Sequence, residues 1–344
     1  MSQNLQDQAA SEARLVGFWI RHFKELAPPL PKSINLCGKT AIVTGSNIGL
    51  GFESARHLLS LQLSHLILAV RSQSRGDAAA AELQRQYPEA TIEVWLLDME
   101  SYKSIANFVE RCKITLPRVH VAILNAGLVI GRFRRVPETQ HETALQVNYL
   151  STAFLALQLL PCLNRPSESD EPGRLTLVGS DTAYGAPRKL RQPSPASLLK
   201  EMDTLETFPG GLDQYELTKL LLVVFAAELS DQISADDVVV NVAMPGLCKG
   251  TAFLRKPDGK WYMRLIFNLL GKEPERGANV IVNTAVVQGK ESHGSLLNEG
   301  FIKPYPPILY GEFGEQIKQR LWQETLAGFH FADVLSIIDQ MRRG

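Results

Sequence analysis

The sequence predicts an α/β fold: one doubly wound parallel sheet with helices on both faces. Two observations carry this. Short β-leaning apolar runs alternate with segments of helical period from Thr40 to Ala243. The first run also passes directly into a glycine turn and a helix start, TAIVTGSNIGLG over Thr40–Gly51. Strands alternating with helices mean βαβ units and a parallel sheet, with ligands at the C-terminal ends of the strands. The 344 residues suit one large domain. We divide the chain into an N-terminal extension, residues 1–37, and a domain over 38–344.

The elements follow in order. Residues 1–13 are polar and read as loose. Leu15–Phe23 (LVGFWIRHF) is a short apolar helix that packs on the domain and ends before Pro28-Pro29-Leu30-Pro31. A membrane-surface anchor is the alternative reading, and the thin basic face argues against it. Thr40-Ala41-Ile42-Val43 is a buried strand. After the glycine turn, FESARHLLSLQL has helical spacing. His65–Val70 is a strand, and Ala78–Gln86 a helix ending near Pro88. Thr91–Leu96 is a strand, and Tyr102–Lys113 a helix. Val119–Leu124 is a strand, and Glu142–Leu163 a long helix. Arg174–Val178 is a strand, Gln214–Ser230 a helix and Val238–Ala243 a strand. Two stretches break the rhythm: the polar loop 164–173, and residues 186–213 with Pro187, Pro193, Pro195, Pro209, Gly210 and Gly211.

Composition excludes several function classes. Basic and acidic residues number 36 each, so the net charge is zero and no nucleic-acid partner is expected. No run of about 18 apolar residues is present, so no spanning helix is expected. Cys37, Cys112, Cys162 and Cys248 lie far apart and form no CxxC pair. They read as reduced packing residues of a cytoplasmic protein with no metal site.

Each strand end carries groups a cofactor could use. The turn after the first strand aims backbone N–H groups and a helix N-terminus at one point, where a pyrophosphate could sit. Gly45 and Gly49 let the backbone approach, and Gly51 lets the helix pack closely. Ser46, Asn47 and Ile48 complete the turn, and Ser46 and Asn47 offer hydrogen bonds. The second strand ends in Arg71-Ser72 with no carboxylate to hold a ribose 2′-OH. An arginine there can pair with a 2′-phosphate, which predicts NADPH/NADP; a surface arginine is the alternative. Asp98 reads equally as an acceptor for an adenine amino group or as a residue that starts the next helix. Asn125-Ala126-Gly127 is a small-residue turn near the adenosine ribose. Asn148, inside the long helix, needs a partner. Ser180 follows the fifth strand. Tyr215 and Lys219 lie four apart on one helical face. A nearby ammonium favours the phenolate, which would suit Tyr215 to exchange a proton with a carbonyl or alcohol oxygen held by Ser180. A solvated i,i+4 pair is the alternative.

The order TGxxxGxG, LNAG, a helix Asn, a strand-end Ser and YxxxK resembles the short-chain dehydrogenase/reductase family over roughly residues 38–300. Gly45, Gly49, Gly51, Asn125-Ala126-Gly127, Asn148, Ser180, Tyr215 and Lys219 match its motifs. Pro245-Gly246 matches its cofactor-capping turn. The resemblance implies a single Rossmann-type domain, a nicotinamide cofactor and a Ser180–Tyr215–Lys219–Asn148 catalytic group, in which the asparagine holds a water in a proton relay with the lysine. Within the family the chain is most similar to the retinol dehydrogenase-like branch and to reductases of fungal secondary-metabolite pathways. Two departures stand out. Ser180 and Tyr215 are 35 positions apart, which leaves Tyr184 as a decoy followed by Arg188 and Lys189. Thr251 falls one residue later than the usual threonine.

The expected activity is NADPH-dependent reduction of a ketone or aldehyde of a hydrophobic small molecule, or oxidation of the alcohol. The alternatives are an epimerase or dehydratase on the same scaffold, or a cofactor sensor without catalysis. A lid over roughly 247–275, with Trp261, Met263 and Phe267 as substrate contacts, is expected to cover the site; a packed core helix or a membrane- or subunit-docking segment is the alternative. Assembly into an oligomer is left open.

Overall fold

A computed structural model of the chain describes residues 1–167, 171–185, 197–249 and 270–343. The eight strands are β1 (Thr40–Thr44), β2 (His65–Val70), β3 (Thr91–Leu96), β4 (Val121–Leu124), β5 (Gly173–Val178), β6 (Val238–Ala243), β7 (Leu296–Asn298) and β8 (Phe301–Lys303). They form one sheet in the order β3-β2-β1-β4-β5-β6-β7-β8. All neighbours pair in parallel except β7 and β8, which are antiparallel. Parallel central strands are covered on both faces, which is why they read as unbroken apolar runs.

The alternation inside β1 shows how the two faces divide. Ala41 and Val43 join the core that includes Leu58 and Leu59 of α3 (Gly49–Ser60) and Ile281 of a late helix, Pro274–Val282. Ile42 points the other way, into the core of Phe108, Phe154 and Phe225. Those rings come from the helices Tyr102–Thr115, Ser151–Leu163 and Gly211–Gln232. The helix expected at Ala78–Gln86 begins earlier, at Gln73, and the one expected at Gln214 begins at Gly211.

Two expectations need correction. The start of the chain is ordered: Ser2–Leu5 forms a 3-10 turn and Gln6–Glu12 forms α1. The sheet edge supplies the reason. Ser2 N–H donates to Ser295 Oγ at 3.1 Å, and Leu296 N–H donates to Ser2 Oγ at 2.9 Å. Tyr310 Oη donates to the Ser2 carbonyl at 2.7 Å. The second correction concerns Cys37, which is exposed; Cys112 and Cys248 are buried and Cys162 is half-buried.

The apolar segment after α1 is a helix, α2, over Leu15–Phe23. Its Arg21 and His22 are buried, whereas Leu15, Val16, Ile20 and Phe23 are exposed. Among the described residues, no helix is long and apolar enough to cross a membrane.

Candidate active site

The strand order reverses at β1, whose neighbours β2 and β4 lead away in opposite directions. Loops diverge at such a point and leave a crevice at the carboxyl ends of the strands. Here it is a cavity of about 510 Å³. One wall is the glycine turn. Gly45 has φ +66°, a conformation that L side chains rarely adopt. Gly51 packs so tightly that a Cβ would meet both Gly45 O and Asn125 Nδ2 at 2.6 Å. The neighbouring LNAG turn is tied to β1: Asn125 Nδ2 donates to Thr44 O at 2.9 Å, and Ala126 N–H donates to Thr44 Oγ1 at 2.9 Å. Asn47, Ile48 and Gly49 line the cavity, while Ser46 is fully buried.

This tight cradle, open to a cavity and free of a Cβ where a phosphate approaches, fits a nicotinamide dinucleotide. Gly51→Ala is accordingly expected to weaken cofactor binding more than tenfold and to cost about 1–3 kcal/mol of stability. Cofactor titration and denaturant unfolding check both, and wild-type values in both would contradict this packing.

Further along, Ser180, Tyr215 and Lys219 line the same cavity. Tyr215 is hydrogen-bonded to Ser180, and burial pushes its phenol up to about 12 against the lowering effect of that bond. The lowering expected from a nearby ammonium is not what the polypeptide alone gives: burial raises the phenol instead. Lys219 is almost fully buried, which brings its ammonium down to about 8. Its Nζ donates to Val178 O at 2.7 Å and lies 5.6 Å from the centre of the Tyr215 ring. An ammonium has three donors, so further N–H groups remain for a ligand in the cavity.

Asn148 is reached by a departure from the expected helix. Gln146–Leu150 winds as a π turn between the α-helical pieces Thr143–Leu145 and Ser151–Leu163. Such turns insert an extra residue and often mark functional sites. The Asn148 side chain is fully buried. Its Oδ1 accepts from Leu128 N–H at 2.8 Å, and its Nδ2 donates to Leu128 O at 2.9 Å and to Thr218 Oγ1 at 3.1 Å. It therefore ties the loop after β4 to the helix that carries Tyr215.

Tyr184 is occupied elsewhere. Tyr184 Oη donates to Pro304 O at 2.6 Å, and the Arg21 guanidinium sits 4.7 Å from its ring centre. Asp98 lines the cavity and accepts Glu100 N–H at 3.0 Å, while Ser101 caps the next helix. Arg71 lines the cavity, about two-thirds exposed, and pairs with Glu100 at 3.3 Å. Pro245 and Gly246 line the cavity as well. Thr251, Trp261, Met263 and Phe267 lie outside the described residues.

Several cavity residues escaped the sequence reading: Phe18, Arg75, Asp181 and Glu216. Burial raises the Glu216 carboxyl to about 7. A signal existed for Glu216, which directly follows Tyr215, and for Arg75, in the first turn of the helix that follows Arg71. Phe18 had none.

Comparison with known proteins identifies the family. A family model described as short chain dehydrogenase matches residues 39–189. The short chain dehydrogenase opdN of Penicillium oxalicum is 50% identical over 316 residues, covering 88% of this chain and 100% of that protein. The short chain dehydrogenase/reductase mfmJ of Annulohypoxylon moriforme is 45% identical over 327 residues, covering 94% of each. Among solved structures, L-sorbose reductase from Gluconobacter frateurii, complexed with NADPH and L-sorbose, has the same fold. Its TM-score is 0.57 at 19% identity, over 78% of this chain and 97% of that one. The chain belongs to the short-chain dehydrogenase/reductase family and is an NAD(P)-dependent oxidoreductase.

Proposed function

We propose that the protein reduces a ketone or aldehyde of a hydrophobic small molecule with NADPH, or oxidises the corresponding alcohol, in fungal secondary metabolism. The observation that carries this reading is the cluster of Ser180, Tyr215 and Lys219 on one cavity, with the Tyr215 phenol bonded to Ser180. The fungal relatives support the setting. Bound along the glycine turn, a nicotinamide cofactor supplies or accepts the hydride.

The chain's own groups do the rest. Ser180 donates a hydrogen bond to the substrate oxygen and fixes its position. Tyr215 gives that oxygen a proton in reduction and takes one in oxidation. Its raised pKa keeps it protonated at neutral pH, the form that reduction needs. Lys219 holds the cofactor ribose and places a positive charge beside the phenol. Asn148 holds the β4 loop and the Tyr215 helix in register. Pro245 and Gly246 cap the cofactor, with Asn125, Ala126, Gly127 and Asp98 along its adenosine half.

Incubating the pure protein with NADPH and a panel of hydrophobic ketones tests the reading. Stoichiometric NADPH consumption with alcohol formation is the expected result. Binding without consumption would indicate a sensor, and substrate conversion without net consumption an epimerase or dehydratase.

Cofactor choice rests on Arg71, with Arg75 beside it on the cavity wall. The exposed Arg71–Glu100 pair is worth little, about 0–1 kcal/mol, so the guanidinium can exchange it for a 2′-phosphate. NADPH is expected to bind at least about tenfold more tightly than NADH, roughly 1.4 kcal/mol. Arg71→Ala is expected to erase most of that ratio. Equal affinities of the two cofactors for the wild type would refute the assignment.

A further inference from the structure

The N-terminal arm precedes the matched family segment, yet its second helix reaches the catalytic cavity. Arg21, on α2, is only 2% exposed. Its Nε donates to Asp181 Oδ1 at 2.8 Å, and its Nη1 donates to the Glu12 carbonyl at 2.7 Å and pairs with the Glu12 carboxylate. Asp181 directly follows Ser180, and both line the cavity. Thr182 Oγ1 donates to Ser180 Oγ at 3.0 Å, so the Arg21–Asp181 pair anchors the same short turn that presents the serine.

One turn earlier on α2, Phe18 lines the cavity itself. Its ring stacks on His22 with centroids 5.4 Å apart and planes within 9°. His22 Nε2 meets Leu270 O at 2.7 Å, and its Nδ1 would lie 3.6 Å from a Cβ built on Gly246. Phe18 therefore lies toward Gly246, on the helix whose Arg21 holds the residue after Ser180. The arm is held in place independently of the cavity. Lys303 Nζ donates to Glu25 Oε1 at 2.7 Å, and Ala27 N–H bonds to the buried Glu299 carboxylate.

We propose that this arm is a working part of the active site. Arg21 is a positioning residue that fixes the Ser180–Asp181 turn through Asp181, and Phe18 is a specificity residue that forms an apolar wall against the substrate. A salt-bridged guanidinium with two anchoring partners resists rotation, so the serine hydroxyl is held within hydrogen-bonding reach of where the reacting oxygen must sit. A flat aromatic surface there favours substrates whose carbonyl carries an aryl or other broad apolar group. The inference rests on the reading of Ser180, Tyr215 and Lys219 as the reacting cluster.

The test uses the full chain, NADPH and a ketone series that runs from acetone through acetophenone to 2-acetylnaphthalene. Phe18→Ala is expected to raise KM about tenfold for the aryl ketones and to leave acetone and the NADPH dissociation constant within twofold. Arg21→Met is expected to lower kcat about tenfold or more with NADPH affinity retained, and Arg21→Lys to recover part of it. Should Arg21→Met fail to fold, Asp181→Asn reads the same contact. An arm that only supports the fold would lower melting temperature without changing KM or kcat of the folded fraction, and that result overturns the inference. Tyr215→Phe separates the two levels. If it is inactive while the Phe18 and Arg21 variants match wild type, the arm's role alone fails. If it stays active, or if the wild type reduces no ketone of the series, the underlying site reading fails.

Discussion

Tyr215→Phe is expected to reduce carbonyl turnover by about 10³-fold or more, while the cofactor dissociation constant stays within about twofold. The ring remains and keeps its packing; only the hydroxyl bonded to Ser180 is removed. Reduction then lacks its proton donor. Glu216 titrates near neutrality but is the next residue on the helix, so its side chain leaves the axis in a different direction. Tyr184→Phe is the control. Its hydroxyl is committed to Pro304 O and its ring faces the Arg21 guanidinium, so the change should cost about 1 kcal/mol of stability and leave turnover near wild type. Steady-state kinetics on the two variants decide the matter: an inactive Tyr184→Phe beside an active Tyr215→Phe would reverse the assignment.

Lys219→Met is expected to slow alcohol oxidation at neutral pH by about 10²-fold and to move its pH dependence. Oxidation needs the phenolate of Tyr215 to receive the alcohol proton. The Lys219 ammonium, 5.6 Å from the ring centre, favours that form while it is protonated, and burial brings its own pKa down to about 8. With methionine in its place the phenolate forms only at higher pH. The rising limb of the oxidation profile should therefore shift in the alkaline direction. Reduction uses the neutral phenol and should lose less to this electrostatic effect. Methionine is unbranched and one atom shorter than lysine, so the fold should hold, with the Val178 carbonyl losing a donor at a cost of about 1–3 kcal/mol. An oxidation profile that superimposes on the wild type would exclude Lys219 from the proton chemistry.

Part of the protein was settled by its sequence. Apolar runs such as Thr40–Val43, which ends in a glycine turn, are strands because no other element fits four to six buried residues before a forced turn. The alternation of such runs with helical segments leaves little but a parallel sheet, and the observed order reverses at β1 as that architecture requires. Tyr215 and Lys219 were legible as neighbours because helical spacing puts residues four apart on one face. These inferences depend on backbone geometry over a few residues, which local sequence encodes directly.

Tertiary structure decided the rest. Residues 1–13 carry no strong local pattern, yet Ser2 is buried because the edge formed by β7 and β8 offers it partners some 290 residues away. That the Tyr184 hydroxyl goes to Pro304 O, 120 residues away, is likewise a contact no local pattern reveals. The π turn at Asn148 reflects the demand of Leu128 and Thr218 for that one side chain. Arg21 meets Asp181 across 160 residues of chain. Contacts of this kind are selected by the global packing of a dense interior, where each buried charge or amide must find a partner wherever the fold brings one.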